Sequence, residues 1–209
     1  MAAQPILVDV ADGVVLDGDV ELPPAASAAV VLTHPHPLYG GNRHSNVTDA
    51  LFRALAPLGV AALRFDFRGV GRSTGQHDGG DGERLDTAAA IDLLSALVPE
   101  VPLVLAGYSF GSDVALNVTH PAVAAWFAVA PPLGGPRFLA SSDHRPKLLA
   151  IPEHDQYDPP KRATELTRSW VNTEVTVVAQ GDHFLAGRLL AITDLLVGFL
   201  RSTIGAPLR

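Results

Sequence analysis

The sequence predicts an α/β fold with a mostly parallel central sheet and helices on both faces. Two observations carry that prediction. Short apolar runs of strand length alternate with longer segments of helical period along all 209 residues, the pattern that βαβ crossovers leave in a chain. Several of those runs, Ala28 to Thr33 foremost, are apolar at almost every position, as a strand buried on both faces must be. No internal repeat, low-complexity tract or linker divides the chain, so residues 1–209 read as a single domain.

In order, Ile6 to Val10 and Val14 to Leu22 read as strands joined by the turn Ala11-Asp12-Gly13, and Pro23-Pro24 ends the second. Ala28 to Thr33 is the first fully apolar strand. Asn46 to Leu58 is helical, Val60 to Phe67 a strand, Glu83 to Leu97 helical and Val101 to Ala106 a strand. The Gly- and Asp-rich stretch Gly75 to Gly82 reads as a loop. Phe110 to Thr119 is helical, and strands follow at Val123 to Ala130 and Lys147 to Ile151. Helix Pro160 to Trp170, strand Glu174 to Val178 and helix Leu185 to Ile204 complete the chain.

Composition narrows the function classes. With 47% hydrophobic and 18% charged residues the chain is globular rather than disordered. A net charge of −7 and a pI near 5.5 argue against nucleic acid or an anionic membrane as a partner. The absence of cysteine removes disulfides, thiolate catalysis and cysteine-ligated zinc. The start, MAAQPILVDVADG, lacks a basic n-region and a long apolar stretch, and no run reaches the roughly 18 apolar residues of a spanning helix. A soluble cytoplasmic protein is expected.

Chemistry enters at GYSFGS, residues 107–112, where Ser109 stands between Gly107 and Gly111 just after an apolar strand. A G-x-S-x-G turn between a strand and a helix lifts the serine above the sheet and aims the following N–H groups at one point. The plainer alternative is an N-cap serine in a glycine-rich turn. As a nucleophile, Ser109 needs a base held by an acid. In this topology they come in the order Ser, Asp/Glu, His, each after a later strand. The predicted strand at 147–151 runs into Glu153-His154-Asp155, and the one at 174–178 into Gly181-Asp182-His183-Phe184. Asp155 and His183 are the candidates. Glu153 and Asp158 share the acid loop, but Asp158 could instead cap the helix at Pro160. Asp182 adjoins His183 in sequence and so points away from it.

HPHPLYGGNRHSN at 34–46, RFDFRGVGRSTG at 64–75, DGGDGERLDTAAAIDLL at 78–94 and GYSFGS stand in one order over residues 28 to about 200. Together they resemble the small lidless serine hydrolases of the α/β-hydrolase superfamily, of dienelactone-hydrolase-like and prolyl-oligopeptidase-like character. The resemblance implies an α/β-hydrolase fold without a cap domain, a triad at Ser109, Asp155 and His183, and no cofactor. Dienelactone hydrolases proper use a cysteine, which this chain lacks. Members are mostly described as esterases or hydrolases of unassigned substrate.

One oxyanion donor is expected to be the Phe110 N–H. The second comes from the loop after Thr33, where Pro35 and Pro37 carry no N–H. His36 and Leu38 remain, and the resemblance, whose members donate from the residue after a His-Gly pair, favours His36. The Tyr39 hydroxyl is a third candidate. His34, His36 and His44 invite a metal reading, but the prolines and a missing fourth ligand speak against a site; these side chains are expected to pack beneath the loop. Asp66 and Arg68 are read as tying down the loop that follows their strand. Only Pro131 to Pro146 lies where lids are inserted, so the site should be a shallow cleft rimmed by Leu38, Tyr39, Leu133, Phe138 and Phe184. Exposed Leu133, Phe138 and Tyr39 would form an apolar patch with room for a second subunit in a homodimer. The functions in play are a hydrolase of small or short-acyl carboxylic esters, a peptidase or acyl-aminoacyl hydrolase, and a non-catalytic binding module on the same scaffold.

Overall fold

The computed structural model describes residues 3–135, 138–205 and 208. Eight strands, β1 (Gln4–Asp9), β2 (Val15–Glu21), β3 (Ala28–Thr33), β4 (Val60–Phe65), β5 (Leu103–Tyr108), β6 (Val123–Val129), β7 (Lys147–His154) and β8 (Thr173–Asp182), form one sheet. Its order is β1-β2-β4-β3-β5-β6-β7-β8. β1 and β2 pair antiparallel through the turn at Gly13, and β2 lies antiparallel to β4; every later pairing is parallel. Among the described residues five α-helices complete the layers: α1 (Asn46–Leu55), α2 (Asp81–Leu97), α3 (Phe110–Leu116), α4 (Pro160–Thr167) and α5 (Leu189–Ile204).

Successive strand residues point to opposite faces, and the core divides accordingly. Val31, Leu63, Leu105, Trp126 and Leu149 meet α2, α3 and α4 on one side. Leu32, Ala62, Val104, Phe127 and Ala150 meet α1 and α5 on the other. β3, β4 and β5 are buried at every position, which is why their sequences carry no polar alternation. Among the described residues no helix is long and apolar enough to cross a membrane.

The boundaries move where long-range pairing or local backbone decides them. β7 continues to His154 and β8 to Asp182, because a register irregularity after Pro152 lets His154 pair with Asp182. β5 begins after Pro102 and runs through Gly107 into the serine turn. α5 begins four residues later than its apolar pattern suggests: Leu185 and Gly187 take left-handed φ values of 56° and 72°, and Leu185 itself is fully buried. α1 gives way at Ala56–Leu58 to a 3₁₀ turn containing Pro57.

A set of ion pairs fastens the loops at the carboxyl end of the sheet. The Arg43 guanidinium reaches Asp17, Asp19 and Asp66, and Arg64 joins Asp19 to Asp49. Arg68 donates from its backbone N–H at 2.9 Å and from Nε and Nη2 at 3.1 and 2.8 Å to the fully buried Asp86 of α2. Asp66 and Arg68 thus tie down the loop after β4. Burial pushes the Asp66 and Asp86 carboxyls upward, against the pull of the arginines. Removing one partner of a buried pair leaves an uncompensated charge. Asp86→Ala is therefore expected to lower the unfolding free energy by about 3–5 kcal/mol in urea titrations. A loss no larger than that of an exposed pair, under about 1 kcal/mol, would mean that the loop is held elsewhere.

Candidate active site

The turn from β5 to α3 is tight enough to dictate its own residues. Ser109 sits at φ 52°, ψ −119°, a conformation that costs a non-glycine residue on the order of 1–3 kcal/mol. A Cβ on Gly107 would overlap the Gly111 carbonyl, and a Cβ on Gly111 would overlap the carbonyls of Thr33 and His34. The turn is laced from within. The Ser109 N–H donates to the Val129 carbonyl at 2.9 Å, and Ser112 Oγ, 2.7 and 2.9 Å from the Gly107 and Val129 carbonyls, shares its one proton between them and accepts the Val129 N–H at 3.1 Å. Thr33 Oγ1 donates to the Gly111 carbonyl at 2.9 Å, joining the end of β3 to the turn.

Ser109, His183 and Asp155 meet in one hydrogen-bonded chain. Ser109 Oγ lies 2.9 Å from His183 Nε2, and His183 Nδ1 lies 2.8 Å from Asp155 Oδ2. A carboxylate can only accept, so Nδ1 carries the proton and Nε2 is free to accept from the serine. The other Asp155 oxygen accepts the N–H groups of Tyr157 and Asp158 at 2.8 and 3.2 Å. Asp155 and His183 are buried, while Ser109 is half-buried and faces the cleft. Tyr157 and Phe184 stand edge-on to the imidazole, with ring centroids at 4.7 and 5.7 Å. The Tyr108 hydroxyl donates to the His183 carbonyl at 3.0 Å from beneath; burial, with the Asp155 and Asp182 charges adding, pushes it up to about 12.

The neighbouring acids are engaged elsewhere. Asp158 accepts the Leu133 N–H at 2.8 Å and the Arg162 Nε at 2.6 Å, and it does not cap α4. Glu153 accepts the Gln180 N–H. Asp182 is exposed and accepts the Phe184 N–H in a turn.

Beside Ser109, the N–H groups of Phe110 and His36, the candidate oxyanion donors, have no hydrogen-bond partner among the described residues. The Leu38 N–H donates to His36 Nδ1 at 3.2 Å, and the Leu38 side chain points away at 73% exposure. Leu38 is therefore unsuited to the role that the sequence left open to it. His36 also carries the 3₁₀ turn Pro37–Tyr39, accepting the Tyr39 and Gly41 N–H groups on its carbonyl. Burial first, and the neighbouring His77 second, hold its imidazole below the ordinary histidine value. His34 does pack beneath the loop, but His44 is exposed. Among the described residues no three potential ligands gather into a metal site.

The cleft over Ser109 measures about 620 Å³ and is walled by Tyr39, Tyr108, Phe110, Pro132, Tyr157 and Phe184. Tyr39, 88% exposed, and Phe184, 57% exposed, stand on its rim as expected. Leu133 and Phe138 do not. Both are buried in the core, because Asp158 draws the Leu133 N–H inward and Trp170 receives the Phe138 ring at 5.3 Å. The apolar patch expected of Leu133, Phe138 and Tyr39 together does not form. Tyr157 takes a place in the wall that sequence reasoning missed; its only signal was its position two residues after Asp155. A second cleft of about 810 Å³ lies across the Pro37–Tyr39 turn, with Asn42, His44, Asp66, Gln76 and His77 in its lining.

The family described as serine aminopeptidase, S33, matches residues 24–168. The chain belongs to that family. As an S33-family member it shares the fold of solved α/β serine hydrolases over nearly its whole length. A serine hydrolase homologue from Coxiella burnetii is 31% identical, with 96% of this chain and 98% of that one covered and a TM-score of 0.86. A serine hydrolase without a lid from Xanthomonas campestris is 29% identical over 99% and 97%, with a TM-score of 0.87. An uncharacterized protein of Rickettsia prowazekii is 39% identical over 113 residues, 53% of this chain and 47% of that protein. The match thus spans about half the length of that curated relative.

Beneath the S33 member's serine turn, His34 is locked as a neutral ring. Its Nδ1–H donates to the Pro35 carbonyl at 2.6 Å and its Nε2 accepts the Phe67 N–H at 3.0 Å. Burial holds it down to about 4, against the Pro35 hydrogen bond. In the unfolded chain the ring titrates near 6.5. Between those values the unfolded state takes up a proton that the native state refuses, so the His34 contribution costs nothing above pH 6.5 and lowers stability as the pH drops toward 4. The span corresponds to about 3 kcal/mol. Urea titrations from pH 7 to 4 should show this slope, and His34→Gln should flatten it. An unchanged slope would assign the acid sensitivity to another group.

Proposed function

We propose that this chain is a carboxylic-ester hydrolase working through an acyl-enzyme on Ser109. The observation that carries this reading is the unbroken path from Ser109 Oγ through His183 to Asp155, at 2.9 and 2.8 Å, opening onto an apolar cleft. His183 Nε2 takes the serine proton as Oγ attacks the ester carbonyl, and Asp155 holds the imidazole in the required tautomer and stabilises the imidazolium. The negative charge that develops on the carbonyl oxygen is met by the free N–H groups of Phe110 and His36. The imidazolium then protonates the departing alcohol. Water, deprotonated by the same nitrogen, releases the acid and restores the serine.

The family description raises aminopeptidase activity as the second reading. Gripping a free α-amine calls for a carboxylate at the cleft wall. Among the described residues no Asp or Glu lines the cleft, which supports the ester reading over the peptidase one. The lining is mostly aromatic and apolar, and among the described residues no element covers it. An open site offers little wall on which a long chain could bury methylenes at roughly 0.8 kcal/mol each, so short acyl groups are the proposed substrates.

A fluorophosphonate should add one label, on Ser109. Ser109→Ala should abolish both labelling and turnover of p-nitrophenyl butyrate. Asp155→Asn should keep the fold and lower kcat on the order of 10³–10⁴-fold. Retained turnover in the alanine variant would refute the acyl-enzyme. Across acetyl, butyryl, octanoyl and palmitoyl esters, kcat/KM should peak at acetyl to butyryl; a steady climb to palmitoyl would reveal an acyl groove.

A further inference from the structure

The wall between the two clefts contains an imidazole for which the mechanism above has no use. His77 Nδ1–H donates at 2.7 Å to Oε1 of Glu83, whose side chain is wholly buried. The other Glu83 oxygen accepts the Gly80 N–H at 2.8 Å, which anchors the carboxylate at the start of α2. Burial, then the neighbouring Asp78, push this carboxyl upward, while the His77 hydrogen bond opposes them. The result is a second acid–imidazole pair, across the Pro37–Tyr39 turn from Asp155 and His183.

The His77 ring does not touch the serine. It packs 4.9 Å from the His36 ring and 5.4 Å from the Phe110 ring, and those two rings lie 4.8 Å from each other. His36 and Phe110 are the residues whose N–H groups the acyl-transfer reading assigns to the oxyanion, and neither N–H has a hydrogen-bond partner among the described residues. Within its own turn His36 is fixed, since Nδ1 accepts from Leu38 and its carbonyl from Tyr39 and Gly41. Toward α3 it is not. Pro35 and Pro37 carry no N–H, so beyond the Thr33–Gly111 hydrogen bond at the end of β3 the backbone beside His36 donates nothing across to the serine turn, and at His36 itself ring packing makes the contact.

We propose that His77, tethered by Glu83, is a positioning residue that sets the separation of the two oxyanion-donating N–H groups. The inference rests on the acyl-transfer reading above. In that reading both N–H groups bind the transition-state oxygen more tightly than the ground-state carbonyl, so a shift in their spacing is felt in kcat. A misplacement of about 1 Å at a reacting centre can cost about 10²-fold. A purely structural role for the pair, as a cap on α2, would change stability and leave the kinetic constants of the folded enzyme alone.

The test compares full-length parent with His77→Ala/Glu83→Gln, in which no carboxylate is left without its imidazole. Far-UV circular dichroism confirms folding. With p-nitrophenyl butyrate, kcat is expected to fall about tenfold or more while KM stays within about twofold. The inhibition constant of phenylboronic acid, which adds to the serine as a tetrahedral anion, should rise by the same factor as kcat/KM falls. A folded variant with parental kcat and boronate affinity, or a loss carried by KM alone, overturns the proposal. Should that variant fail to fold, His77→Phe/Glu83→Gln decides. It keeps a ring against His36 and Phe110 but loses the tether, so parental kcat there overturns the proposal and a reduced kcat at unchanged KM supports it. A parent inert toward esters would remove the acyl-transfer reading and the positioning role with it; an active parent with unaffected variants removes the positioning role alone.

Discussion

At the top of the sheet the backbone of α3 passes so close to the end of β3 that Gly111 has no room for a side chain against the carbonyls of Thr33 and His34. Gly107 meets the same limit against the Gly111 carbonyl. That approach lets β5 turn into α3 without an intervening loop, and the cost is concentrated on Ser109, held at φ 52°. A strained residue persists only where its surroundings over-determine it. Here they do so from three directions: Thr33 bonds to Gly111, Ser112 to Gly107 and Val129, and Val129 to the serine's own N–H. The position of the hydroxyl is thus set by β3, β5 and β6 together, which belong to the most deeply buried part of the sheet.

The loops that face this serine are fastened by charge as well as by ring packing. Arg43 gathers Asp17, Asp19 and Asp66, and Arg68 clamps Asp86. Buried pairs of this kind repay their desolvation only when geometry satisfies most of their donors and acceptors. Arg68 meets that condition with three donors on one carboxylate, and Arg43 with two guanidinium nitrogens and a backbone N–H on three. Hydrophobic packing tolerates small slips in register, whereas a fork of guanidinium bonds does not. The loops bearing His36 and His77 therefore inherit a fixed height above the sheet from arginines that never enter the cleft.

Much of this was legible in the chain because it is written in local chemistry. The unbroken apolar run of β3, the glycines bracketing Ser109 and the order of Asp155 and His183 along later strands each follow from a constraint acting within a few residues. Most of what escaped depends on contacts between distant segments. The extensions of β7 and β8 exist because His154 pairs with Asp182, and neither residue advertises a strand. Leu133 and Phe138 were placed on the rim because a loop without a lid reads as exposed. Asp158 and Trp170, far along the chain, turn them inward. Leu38 lost its candidacy to a hydrogen bond within its own turn, which spacing alone does not reveal. Tyr157 went unread because an aromatic in a polar loop carries no periodic signal.

The cleft over Ser109 opens to solvent among the described residues, yet His183 and Asp155 do not stand in bulk water. Ser109 is half-buried and opens onto the cleft, whereas His183 and Asp155 are 7% and 5% exposed. The screening is done by side chains seated on the imidazole itself: Tyr157 and Phe184 at its edges and Tyr108 behind it. Because Tyr157 and Phe184 are themselves largely exposed, they spend their apolar surface on the histidine and on whatever enters the cleft. Electrostatic interactions strengthen as water is excluded, so the His183–Asp155 hydrogen bond gains from this placement without any closing motion. The proposed chemistry therefore divides between a dry relay and a wet mouth, and a substrate need only cover the serine face to complete the enclosure.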